Sequence, residues 1–234
     1  MTTTMIIYAA AFLATAFVAI IVYVRRVPPR RRRRPDPPLP LPGVRRAFLF
    51  GLNYVERPDT DTEGCWKDLA DLVDVLVKSG RFADGDVLRY PDARVNGKHF
   101  TSYAGMKRLL ERLRTRGGAE FVYVHFVGLG TGRGLVTSGR DDPELPCEWL
   151  DRWALSLGAG TRVTLVLDCD VSEFAWTSSR VNCISSKTPG FTRGLVDALR
   201  ERPGLLDDVH ALATVIPDPW TTIHRPDFVP PRKV

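Results

Sequence analysis

Four cysteines, Cys65, Cys147, Cys169 and Cys183, are the side chains of this 234-residue sequence best suited to covalent or metal chemistry. Their spacing argues against the two commonest uses. There is no CxxC pair to open a zinc site, and thiols this far apart do not form the framework of a small disulfide-stapled domain. Reduced thiols in a cytosolic compartment fit the pattern best. Cys169 stands between Asp168 and Asp170. Two adjacent carboxylates raise a thiol pKa, whereas a nucleophilic cysteine needs it lowered by a cation or an imidazolium. The run Gly128-Leu129-Gly130-Thr131-Gly132-Arg133-Gly134 lacks the G-x-G-x-x-G spacing and any Gly-Lys-Ser/Thr, so it does not read as a phosphate loop. Asp141, Asp142 and Glu144 follow no EF-hand pattern and read as a solvated loop. His99, His210 and His224 stand alone. No metal and no cofactor is expected.

The elements that must position these residues alternate apolar runs with helical periodicity. With 44% hydrophobic and 26% charged residues, the chain can hold one ordinary globular domain plus short extras. Ala47 to Leu52 reads as a buried strand, followed by a turn-rich loop at Arg57 to Thr62. Cys65, Leu69, Leu72, Val73 and Leu76 fall on one helical face that Gly80 terminates. Val87 to Tyr90 is a second strand. Thr101 and Ser102 offer caps to a helix striped by Tyr103, Met106, Leu110 and Leu113 and ended by Gly117 and Gly118. Phe121 to Val127 is the third strand, and Trp149, Leu150, Trp153 and Leu157 mark another helix. Arg162 to Asp168 and Val181 to Ser185 are the fourth and fifth strands, and Phe191 to Arg200 a further helix. The order βαβαβαββα implies crossover connections, hence an α/β domain with a mostly parallel sheet flanked by helices on both faces. Trp149 and Trp153 read as core contacts, and Trp220 and Phe228 as pins for a Pro-rich tail at 217–234.

Ahead of the domain, which spans 44–216, the chain reads as an anchor on a stalk. After the short segment 1–4, Met5 to Val24 is twenty residues without a charge. As a helix rising about 1.5 Å per residue it covers the roughly 30 Å hydrocarbon core of a bilayer. Met1 to Thr4 carries no charged side chain and the cations all follow, which suits an uncleaved single-pass transmembrane helix better than a signal peptide. The positive-inside tendency places the N-terminus on the lumenal or extracellular side and the domain in the cytosol. The stalk, 25–43, includes seven prolines and five arginines between Val27 and Pro42. That composition stays extended and polyproline-like. Arg34, Pro37 and Pro40 match the Arg-x-x-Pro-x-x-Pro form of a Pro-rich peptide ligand. The formal charge of +6 is misleading, because Arg25, Arg26 and Arg30 to Arg34 supply seven positive charges and the remainder sums to −1. The excess sits beside the apolar run instead of on a folded face, so nucleic-acid binding is not expected. The stalk arginines suit an anionic cytoplasmic leaflet.

From about Arg46 to about Arg200 the chain resembles the caspase and metacaspase clan of cysteine peptidases. Arg46-Ala47-Phe48-Leu49-Phe50-Gly51-Leu52-Asn53-Tyr54 is similar to the family's opening strand and loop. Gly64-Cys65-Trp66-Lys67-Asp68-Leu69 is similar to the GCxxD helix start. His125-Phe126-Val127-Gly128-Leu129-Gly130 resembles the stretch that ends the third strand with the catalytic His, and Val166-Leu167-Asp168-Cys169-Asp170-Val171-Ser172 the stretch that ends the fourth with the catalytic Cys. Gly190-Phe191-Thr192-Arg193-Gly194-Leu195-Val196-Asp197-Ala198-Leu199 resembles a family helix.

The resemblance implies a caspase-like fold in which both catalytic positions have changed. The His falls on Leu129, which cannot titrate, and the Cys falls on Asp170, whose carboxylate cannot form a thioester. The implied function is that of a membrane-anchored pseudopeptidase: a binding decoy or regulator whose partner is a peptide, an adaptor or a caspase-like enzyme. Two alternatives remain. One is an active peptidase using Cys169 with His125 in a shifted register, although a one-residue offset turns a strand side chain to the other face and His125 belongs inside the strand. The other is a tether that recruits partners through the Arg/Pro-rich stalk.

Overall fold

The computed structural model describes residues 44–54, 65–92, 94–95, 98–116, 118–178, 181–187, 190–216 and 222–224. The expected membrane span Met5 to Val24, the stalk 25–43 with Arg34, Pro37 and Pro40, and Trp220 and Phe228 lie outside them. Among the described residues no helix is long and apolar enough to cross a membrane.

Six strands form the central sheet: β1 (Val44–Gly51), β2 (Val87–Pro91), β5 (Ala119–Val127), β8 (Arg162–Asp168), β9 (Val181–Ser186) and β10 (Thr222–His224), in the order β10-β9-β8-β5-β1-β2. All neighbours run parallel except β10, which is antiparallel to β9. Two small hairpins stand apart: β3 (Arg94–Val95) with β4 (Lys98–His99), and β6 (Gly134–Leu135) with β7 (Leu145–Pro146). Parallel neighbours cannot be joined by a tight turn. Helices α1 (Cys65–Lys78), α2 (Tyr103–Arg116) and α3 (Cys147–Ser156) supply the crossovers to β2, β5 and β8, and α4 (Phe191–Glu201) and α5 (Val209–Val215) follow β9.

Covering both faces explains why the strands read as nearly unbroken apolar runs. With a side-chain period of two, Phe48 and Phe50 of β1, Val122, Val124 and Phe126 of β5, and Val163, Leu165 and Leu167 of β8 point to one face. There they meet Met106, Leu110 and Leu113 of α2 and Leu150 and Trp153 of α3. The alternate residues, Ala47, Leu49, Phe121, Tyr123 and Val166, meet Leu69, Leu72 and Leu76 of α1 and Leu195, Val196 and Leu199 of α4. The expected stripe on α1 is shifted slightly, with Val75 buried and Val73 at its margin. Gly80, at φ 68°, ends that helix in the left-handed region.

Of the two expected caps on α2, Ser102 acts as one: its Oγ accepts from the Gly105 N–H at 3.2 Å. Thr101 is buried instead, its Oγ1 2.9 Å from Ser138 Oγ and donating to Asp92 Oδ1 at 3.3 Å. Asp142, read from the sequence as part of a solvated loop, closes the helix start from 39 residues away by accepting from the Tyr103 N–H at 2.9 Å. Trp153 fastens α3 to α2 by donating from Nε1 to the Leu110 carbonyl at 2.9 Å. Trp149 is only partly buried.

Candidate functional site

Strands β5 and β8 lie side by side with Val127 opposite Asp168, so Leu129 and Asp170 each stand two residues beyond a matched pair of strand ends. The topology therefore brings together the two positions at which the resemblance puts a catalytic His and Cys. Backbone hydrogen bonds hold the two loops against each other. Gly128 N donates to Asp168 O at 3.3 Å, Gly132 N to Asp170 O at 2.8 Å, and Glu173 N to Gly132 O at 2.9 Å. Val136 N donates back to Leu129 O at 2.9 Å.

This closeness accounts for the glycines. A Cβ on Gly130 would collide with the Asp170 carbonyl oxygen. Gly132, at φ 83°, occupies the left-handed region open to a residue without a Cβ. Gly130→Ala is expected to destabilise the domain by on the order of 2–3 kcal/mol, because a rigid backbone atom would have to give way. Gly85→Ala, which meets nothing within 4 Å, serves as the neutral control. Paired urea titrations check both.

Tyr54 pins the same loop from beneath. Its hydroxyl accepts from the Leu129 N–H at 2.6 Å and donates to the Val136 carbonyl at 3.0 Å. The residue is buried and holds φ 54°, an uncommon conformation for a residue with a Cβ. Sequence reasoning gave Tyr54 no role. The only trace it left was its place at the end of the family-like opening stretch.

At the two strand ends the chemistry is plain. Leu129 is partly buried and packs on the core. The Asp170 side chain is 39% exposed and lies 3.9 Å from Lys187 Nζ. Its Oδ1 accepts from Ser172 Oγ at 2.7 Å and Ser172 N at 3.1 Å. Those two bonds, with Lys187 adding less, hold its carboxyl below the ordinary range, so it stays ionised at neutral pH. A partly exposed carboxylate beside an alkyl side chain offers a charge for binding. It offers no thiolate, and Leu129 beside it carries no titratable group.

Cys169 and His125 are not brought together. Cys169 is 4% exposed and belongs to the core on the α2/α3 face, with Cys147 and Cys183. Its thiol is pushed well above the usual range, first by burial and then by Cys147, Asp168, Cys183 and Asp170. The flanking aspartates expected from sequence to dominate are lesser causes. Burial, with Glu144 adding to it, pushes Cys147 up to about 12. All four cysteines are buried and none is in a disulfide, and among the described residues no His/Cys/Asp/Glu group is arranged to hold a metal.

His125 lies on the other side of the sheet, fully buried. Its Nδ1 is 2.9 Å from the Tyr123 hydroxyl and its Nε2 is 2.9 Å from Thr192 Oγ1 at the start of α4. Thr192 donates in turn to Asp168 Oδ2, from Oγ1 at 2.6 Å and from its backbone N at 2.9 Å. The Thr192 hydroxyl has one proton and gives it to Asp168, so it must accept from His125 Nε2–H. That leaves Nδ1 as the acceptor for Tyr123. The imidazole is thus a neutral, fully satisfied part of the sheet, with its pKa lowered to about 3 by burial.

No protein-family model matches the chain, and no curated protein matches it in sequence. Solved structures do. The structure of pro-sf-caspase-1 superposes with a TM-score of 0.59 at 15% sequence identity, covering 83% of this chain and 96% of that one. The crystal structure of caspase-1 from Spodoptera frugiperda gives 0.56 at 16%, covering 82% of each chain. The chain therefore has a caspase-like α/β fold. At such identity the likeness speaks for the fold alone.

Proposed function

We propose that this chain is a membrane-anchored, caspase-like pseudopeptidase that acts by binding, as a decoy or regulator. One observation carries the reading: the adjacent strand ends of β5 and β8 present Leu129 and Asp170, while Cys169 is buried on one face of the sheet and His125 on the other. A fold with its loops intact but without a nucleophile keeps shape and charge, which suffices to hold a peptide, an adaptor or a caspase-like enzyme. The anchor rests on Met5 to Val24 and on the arginines that follow it, which favour a single pass with the domain in the cytosol.

The test is titration of the full chain with thiol-reactive peptides carrying Arg, Lys or Asp at the recognition position. Cys169→Ala and Asp170→Cys serve as comparisons. The native chain is expected to label at least about 100-fold more slowly than Asp170→Cys, because reaction needs an exposed thiolate and burial denies both. Fast, sequence-selective labelling of the native chain that Cys169→Ala abolishes would mean a working peptidase and would sink the proposal.

A further inference from the structure

Helix α2 carries five Lys or Arg residues against Glu111 alone, a net of +4. Outside the seven arginines at 25–34 the chain sums to −1, so everything other than α2 and those arginines sums to −5. The positive charge of the folded domain is thus concentrated on one helix. Met106, Leu109, Leu110 and Leu113 bury the opposite side of α2 in the core. Arg108 and Arg114 are exposed, and Lys107 and Arg112 flank them half-buried.

Apolar side chains adjoin this face. The Lys107 ammonium lies 5.2 Å from the Trp149 ring centroid, and that partly buried indole stacks on Trp153 with centroids 6.5 Å apart. Clustered cations beside a partly buried Trp combine the two attractions of an anionic bilayer surface. One is Coulombic attraction to headgroups, and the other is the preference of the indole ring for the interface.

We infer that the face formed by α2 and the adjoining edge of α3, through Lys107, Arg108, Arg112 and Arg114 with Trp149, docks the domain on an anionic phospholipid surface. The inference rests on the membrane-anchored reading for its setting. Residues 25–34 read as lying at a leaflet of that kind. Each cation held near such a surface strengthens binding by about fivefold, and salt weakens it.

The experiment uses the full chain in nanodiscs of phosphatidylcholine alone or with 30% phosphatidylserine. Its readout is the rate of amine-reactive labelling at Lys107 relative to Lys78, which is 76% exposed on α1 at the other face of the sheet. We expect Lys107 to be shielded at least about fivefold on anionic discs, with the shielding lost in Arg108→Glu/Arg114→Glu and in 0.5 M salt. Equal labelling on both discs, or shielding that survives the double reversal, overturns the inference. So does shielding by a short DNA duplex without any by anionic lipid, which would make the face a nucleic-acid surface. The anchor is read separately, by resistance of the chain to alkaline extraction from neutral vesicles. If it extracts, the anchored reading fails, and the same labelling with added vesicles still reads the docking face.

Discussion

Thr192→Val is expected to lower the stability of the domain by roughly 2–4 kcal/mol, with little change in shape. Val matches Thr in volume and branching, so no cavity opens and what is lost is the hydroxyl. That hydroxyl is the single atom between His125 Nε2 and Asp168 Oδ2, at 2.9 and 2.6 Å. Without it a fully buried imidazole N–H has no acceptor and a carboxylate loses one of its donors. Stranding a buried polar group costs about 1–3 kcal/mol, and hydrogen bonds to charged groups lie toward the upper end. The Thr192 backbone N–H still reaches Asp168, so the start of α4 keeps its anchor and local unravelling is not expected. Thr192→Ser keeps the hydroxyl and should recover most of the loss. Urea titrations of the three proteins at neutral pH decide the matter. A Val variant within about 0.5 kcal/mol of the parent would mean that the chain of bonds does not stabilise the fold.

Five strands and four helices were readable because their period is strong and their ends are marked. Arg162 to Asp168 is observed with the expected ends, and Gly80 and Gly118 adopt positive φ just beyond the helices they were read as ending. The elements that escaped are those with too few residues to show a period. α5 has seven residues, β10 has three between prolines, and the hairpins β3/β4 and β6/β7 have two per strand. The site divided in the same way. Leu129 and Asp170 could be placed through the motifs that carry the family resemblance, because strand ends are local features. The bonds that fix the site join residues 75 and 67 positions apart, as Tyr54 does with Leu129 and His125 with Thr192. No local pattern encodes such partners. They become visible only once the sheet order and register are known. The glycines at 128–134 show the same limit, since their spacing excluded a phosphate loop but could not reveal the Asp170 carbonyl lying against Gly130.

The same network should make the domain sensitive to mild acid. Burial lowers the pKa of His125 to about 3, against 6.5 for an exposed imidazole. Protonation would also turn Nδ1 into a donor facing the Tyr123 hydroxyl, which already uses its proton there. Between those two values the unfolded chain takes up a proton that the native state refuses. The contribution of this site is therefore complete above pH 6.5 and is lost progressively as pH falls toward about 3, at up to about 1.4 kcal/mol per pH unit. From pH 6.5 to pH 5.0 the loss amounts to roughly 1.5 kcal/mol, in a window where ordinary carboxyl groups remain ionised. Asp68 and Asp86 act in the opposite sense, because burial raises their pKa values and a raised carboxyl favours the native state toward acid. That opposing slope is common to parent and variant and cancels in their difference. His125→Gln keeps a donor and an acceptor but cannot titrate, so its stability should be lower than the parent at pH 7 and flatter between pH 6.5 and 5.0. Parallel slopes for the two proteins would place the acid sensitivity elsewhere and remove His125 as its cause.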